Sequence, residues 1–168
     1  RAHGVTPRAV RDGLRSFTPD AHRIDAVAHI NGVRYVNDSK ATNPAAALAS
    51  LQAFDHSVWI AGGLAKGADF DGLVEATRDR LRGAVLIGTD REVIADALRR
   101  HAPDVPIVTV DAGDTDLMDR VVEAATSLAR EGDTVLLAPG CASMDQFRNY
   151  GDRGDSFVAA VHRLRGRA

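Results

Sequence analysis

Lysine is nearly absent from this chain: of 21 basic residues among 168, only Lys40 and Lys66 are lysines, and the rest are arginines. Cysteine is rarer still. A lone Cys141 excludes an internal disulfide and fits a reducing compartment. Aromatics make up 5% of residues, too few to build stacking platforms for bases. A net charge of −2 with no arginine-rich stripe removes the electrostatic basis for nucleic-acid binding. No apolar run approaches the roughly 20 residues needed to span a bilayer, and no secretory leader opens the chain. A cytoplasmic protein with no nucleic-acid or membrane partner is therefore expected. The chain opens at Arg1 without a methionine, which reads as a piece of a longer protein.

Some motifs are missing as well. There is no G-x-x-x-x-G-K-[ST] loop, and no G-x-G-x-x-G opens a helix after a first strand. The six histidines are scattered without zinc-ligand spacing, so no metal site is expected in this chain. Nothing here reads as able to bind and cleave ATP unaided.

The rest is ordinary for one globular domain: 45% hydrophobic residues, 26% charged, mean hydropathy −0.16. Residues 1–20 read as an interdomain connecting segment holding a short helix. Thr6 is its N-cap, Pro7 its first position, and Val10, Leu14 and Phe17 lie on one face. Thr18-Pro19-Asp20 ends it. Residues 21–168 read as the domain proper. Asn31-Gly32 predicts a two-residue hairpin joining 23–30 to 33–37, with Ile24, Ala26 and Ala28 alternating against polar neighbours.

Short apolar runs then alternate with amphipathic stretches. NPAAALASLQAF is a helix capped by Asn43, followed by strand SVWIAGG and helix FDGLVEATRDRL. Strand GAVLIG leads to helix REVIADALRRHA, with Val93, Ile94, Ala97 and Leu98 on its inner face. PIVTV, the helix of DTDLMDRVVEAATSLAREG and TVLLAPG follow. A last helical region runs from Asp145 to about Leu164, interrupted near Gly151 and Gly154. This rhythm predicts an α/β fold: a Rossmann-like, mostly parallel sheet flanked by helices on both faces, with the antiparallel hairpin at its start. Ligands in such sheets gather beyond the carboxyl ends of the strands.

Three loops fall at those ends. Asn37–Asn43 packs a carboxylate, two hydroxyls, an ammonium and two amides ahead of a helix. That suits an anion; simple capping by Ser39, Thr42 and Asn43 explains it equally well. Gly62–Phe70 holds Lys66 among glycines, either a phosphate- or carboxylate-seeking point charge or an exposed turn with a solvated lysine. Ala138–Phe147 offers free N–H groups and Ser143, whose commoner job would be a cap. Cys141 lacks a paired histidine and reads as a small buried thiol. The cluster Arg148, Asn149, Tyr150, Asp152 and Arg153 either lines the same edge or forms a solvated helix face. Both lysines fall beyond strand ends of one sheet, where a compact ammonium can meet an oxyanion end-on.

Taken together, HR at 22–23, NDSKATN at 37–43, GG…KG.DF at 62–70, L.PGCAS.DQF.N at 137–149 and RG at 153–154 resemble the C-terminal domain of the Mur ligases, in their D-glutamate-adding branch. They span nearly the whole chain. Leu64 stands where a polar residue is usual, Gly140 where alanine is commoner, and Tyr150 where phenylalanine is.

The resemblance implies a three-domain enzyme of peptidoglycan precursor synthesis. Its missing N-terminal and central domains hold UDP-N-acetylmuramoyl-L-alanine and most of the ATP and Mg2+. It forms an amide through an acyl phosphate, attacked by the amine of D-glutamate. By the same resemblance, Thr42, Lys66, Ser143, the Met144 backbone and Tyr150 contact D-glutamate. Arg23 and Asp38 contact the nucleotide, and Lys40 is the catalytic cation near the reacting phosphate. The domain is expected to rotate over the nucleotide and to be inactive alone. A folylpolyglutamate synthase-type ligase and a non-catalytic α/β binding module are the alternatives.

Overall fold

The structure, a computed structural model, describes residues 4–17, 20–113 and 116–167. Asn31 and Gly32 sit at φ 49° and 78°, the left-handed pair that a two-residue hairpin demands. They join β1 (Asp25–Ile30) to an antiparallel β2 (Val33–Asn37), as the sequence predicts. The register slips between Ala26 and Ala28. This bulge breaks the expected alternation: Ala26 is exposed, while Val27 and Ala28 are both half-buried. Ile24 lies outside the strand with φ 45°, a strained conformation for a β-branched residue.

Beyond the hairpin the chain alternates as expected. α2 (Pro44–Gln52) precedes β3 (Ser57–Gly62), α3 (Asp71–Thr77) and a 3-10 turn at Arg78–Arg80. β4 (Leu81–Ile87), α4 (Arg91–His101), β5 (Ile107–Thr109), α5 (Leu117–Leu128), β6 (Thr134–Leu137) and α6 (Tyr150–Arg165) complete it. Asn43 caps α2 by accepting the Ala46 N–H at 2.9 Å. On α4 the inner face is Ile94, Ala95, Ala97 and Leu98, and Val93 turns outward instead of joining them.

α6 differs more. It starts at Tyr150, capped by the Asn149 side chain, and runs unbroken through Gly151 and Gly154. Gly154 is there for space, because a Cβ would lie 2.4 Å from His22 Nδ1. Helix α1 (Pro7–Ser16) forms with Thr6 as its cap, yet it buries nothing, and Val10, Leu14 and Phe17 are all exposed. The stop at Thr18-Pro19 lies outside the described residues.

The sheet order is β1-β2-β6-β3-β4-β5, parallel except for β1. Alternate strand residues serve two cores. Trp59, Ala61, Leu86 and Leu136 face α2, α3 and α4, while Val58, Ile60, Val85 and Val135 face α5 and α6. β6 is central, and its following helix covers the face opposite those that follow β2 and β3. Crossing of that kind opens a crevice at the carboxyl ends of the strands.

Candidate functional site at the carboxyl rim of the sheet

The loops after β2, β3 and β6 are stitched together at this crevice by main-chain bonds. Asp38 N–H donates to Leu137 O at 2.8 Å, and Gly140 N–H to Ala41 O at 2.9 Å. Gly62 N–H donates to Pro139 O at 2.9 Å. Leu64 and Ala142 exchange two bonds at 2.8 and 3.0 Å. Gly63 permits that last contact, since a Cβ there would stand 2.1 Å from Ala142 O. Below them the Trp59 indole N–H donates to Ala138 O at 2.7 Å, pinning the β6 loop to the core. Lys40, Lys66 and Ser143 therefore share one rim.

Their environments differ. Lys66 is exposed, in no ion pair among the described residues, and held at φ 54°. A left-handed conformation costs an L-residue roughly 1–2 kcal/mol, and strain of this kind gathers at functional sites. Lys40 is partly covered: its ammonium pairs with Asp20 and lies 5.9 Å from the Tyr150 ring centroid. That ammonium, by its hydrogen bond first and its charge second, holds the Asp20 carboxyl below the usual carboxylate range. The hydroxyls of Thr42 and Ser143 make no side-chain hydrogen bond among the described residues, although Ser143 is buried. Capping is thus the work of Asn43 and Asn149, and both hydroxyls remain free for a ligand. Met144 and Tyr150 are exposed beside them.

On the outer side of β2 lies a cleft of about 320 Å³, bordered by Arg23, Ile24, Asp38, Lys40, Asn43 and Ser50. Asp38 is buried and already engaged, accepting from the Ser50 hydroxyl and, at 3.3 Å, from Ile24 N–H. It shapes the cleft wall. His22 and Ile24, on either side of Arg23, both have positive φ. A larger, open cleft of about 810 Å³ lies around His56, Arg82 and Asp133. It sits at the amino ends of the strands, and its Arg82–Asp133 pair at 3.0 Å is internally satisfied, so the carboxyl rim is the better candidate.

Several residues that position this rim are not readable as such from the sequence. Asp90, in the usual cap position of α4, instead accepts Ala65 N–H at 2.8 Å and donates its own N–H to Gly63 O at 3.0 Å, fixing the Lys66 loop. Asp145 accepts Thr89 N–H at 2.8 Å, tying the β6 loop to the β4 loop, while its Oδ1 is buried without a partner. Asn37 donates to His22 Nδ1 at 2.9 Å and to Gly154 O at 3.2 Å; its Oδ1 accepts Ser39 N–H at 3.0 Å. Arg153 is buried rather than solvated. Cys141 is buried as well, and desolvation pushes its thiol up to about 12, ruling out a thiolate nucleophile at neutral pH.

Residues 22–141 match the family described as Mur ligase, glutamate ligase domain. The chain belongs to this family. Curated relatives of the chain carry the name UDP-N-acetylmuramoylalanine–D-glutamate ligase. That of Streptomyces coelicolor is 63% identical over 98% of this chain and 35% of its own length. That of Thermobifida fusca is 57% identical over 99% and 36%, and that of Mycolicibacterium smegmatis 48% over 96% and 39%. The chain thus spans a little over a third of the length of these relatives.

Among solved structures, UDP-N-acetylmuramate-alanine ligase from Thermotoga maritima superposes with TM-score 0.64 at 14% identity, covering 99% of this chain and 35% of that one. Folylpolyglutamate synthase from the same organism gives 0.51 at 16%, covering 82% and 32%. At such identities these two bear on fold alone. They match the expected Rossmann-like sheet of a Mur ligase C-terminal domain.

Proposed function

We propose that this Mur ligase domain binds D-glutamate for an ATP-dependent carbon–nitrogen ligase of peptidoglycan precursor synthesis, acting on UDP-N-acetylmuramoyl-L-alanine. The reading is carried by one observation: a strained Lys66, in no ion pair among the described residues, shares a rim with the Thr42 and Ser143 hydroxyls, which make no side-chain hydrogen bond among those residues. An amino-acid dianion needs opposite charge and hydrogen-bond donors fixed in advance. Lys66 and Thr42 are suited to one carboxylate, Ser143 and the Met144 N–H to the other, with the Tyr150 ring against the carbon chain. Lys40, near the reacting centre, would exchange its exposed partner Asp20 for substrate oxygens, and exchanging a surface ion pair costs little.

ATP supplies the activation, its phosphoryl group making the acceptor carboxylate open to attack by the amine. The cleft between Arg23 and Asp38 is open enough to take one side of the nucleotide, with Arg23 as its cation. Its magnesium ion would be held mainly by the other domains. Among the described residues no three His, Cys, Asp or Glu side chains stand together to hold a metal.

The test is turnover of the intact ligase with ATP, the UDP-linked acceptor and either D- or L-glutamate. Only the D-isomer should support phosphate release. Lys66→Ala should raise the glutamate KM by about 10- to 100-fold, the loss expected of one charge-assisted contact, and leave the ATP KM alone. An unchanged glutamate KM removes Lys66 from the site. A preference for another amino acid favours a folylpolyglutamate synthase-type ligase, and full activity with both lysines neutralised would leave only a binding module. The 168-residue chain alone should not ligate.

A further inference from the structure

Arg153 is among the largest fully buried side chains of the molecule, 1% exposed, in the first turn of α6. Among the described residues, all its hydrogen-bond partners are neutral. Nε donates to Ser39 Oγ at 2.9 Å, Nη2 to Ser39 O at 2.9 Å and Nη1 to Cys141 O at 3.2 Å. Ser39 Oγ in turn donates to Tyr150 O at 2.7 Å. No carboxylate stands within ion-pair distance of the guanidinium among the described residues.

That is an unusual way to bury a charge, because an ion taken out of water is normally neutralised by a partner. The same chain follows the rule at the other end of the sheet, where buried Asp133 has Arg82 at 3.0 Å. At the carboxyl rim it does not. Burial moves the guanidinium down only to about 10, so it stays charged at neutral pH.

We infer that Arg153 is a positioning residue for the anionic substrate. It clamps the loop bearing Lys40 and Thr42 to the loop bearing Ser143, and leaves beneath them a positive charge that no side chain pairs directly: the Asp145 carboxylate acts on it only at a distance, and a ligand anion supplies the rest. The clamp is local in effect: Ser39 directly precedes Lys40, and Cys141 lies two residues before Ser143. A fork with three N–H directions can hold both loops at once, which a lysine ammonium on a flexible stem cannot do with the same geometry. The buried charge is screened little by salt and so acts on the rim above it. This inference rests on the proposed D-glutamate site and adds to it a residue that does not touch the substrate.

The test uses the intact ligase with Arg153→Lys, which keeps the charge and loses the fork, and Arg153→Gln, which loses the charge. Both should raise the glutamate KM by about tenfold or more, Gln above Lys, with the ATP KM held within about twofold. Equal rises in both KM values, or a fall in kcat with unchanged glutamate KM, would reduce Arg153 to a structural brace and overturn the inference. Ser39→Ala removes only the hydroxyl that Nε meets, and it decides the matter if the Arg153 variants do not fold. A several-fold rise confined to glutamate supports the clamp, and no change overturns it. Wild-type enzyme indifferent to D-glutamate would instead sink the functional reading beneath it, a failure visible before any variant is made.

Discussion

Lys66 concentrates a conflict between stability and chemistry in one residue. Its backbone is left-handed and its exposed side chain makes no ion pair or hydrogen bond among the described residues, so nothing there shows the fold gaining from a lysine. Glycine would suit the backbone better. Lys66→Gly should therefore raise unfolding stability by about 1 kcal/mol while impairing glutamate use as severely as Lys66→Ala. Denaturant midpoints read beside glutamate KM values check both halves. A loss of stability would mean that the side chain holds the loop, contrary to its exposure. Lys40 is the opposite case. Its exposed pair with Asp20 makes the same point charge part of the resting surface.

At the scale of elements, most of the architecture is legible in the sequence because period and punctuation agree. Asn31-Gly32 sets the hairpin, Asn43-Pro44 starts α2, and apolar runs of strand length end in glycine or proline at the ligand rim. What escapes is whatever depends on contacts distant in sequence. Arg153 sits among Arg148 and Asp152, which pair with each other at the surface, and nothing local separates it from them. Its partner Ser39 is 114 residues away. Asp90 looks like an ordinary cap, and only the fold brings Ala65 to it.

Gly151 and Gly154 read as breakers of α6, yet the helix continues, because Gly154 makes room for the His22 ring. Gly154→Ala sets two terms against each other. Helix propensity favours alanine by about 1 kcal/mol, and the clash with a ring held by Asn37 costs about 1–3 kcal/mol. The clash should win, giving a net loss of about 1 kcal/mol in thermal or denaturant unfolding. A gain in stability would show that His22 swings away freely.

For the molecule as a whole, two cores share one sheet, and α1 belongs to neither. The candidate site lies where the chain changes from one face to the other, so its three loops arrive from strands far apart in sequence. β6 pairs on one side with β2 and on the other with β3, although about a hundred residues separate it from the hairpin. The middle of the sheet is thus synthesised last. Until Leu137 has left the ribosome, β2 and β3 present bare edges with no neighbour to join them, a wait that exposes both to wrong pairing. A chain ending at Ala129 should accordingly stay without a cooperative melt or dispersed amide resonances, despite retaining five of its strands; a sharp transition from it would mean that the late strand is dispensable.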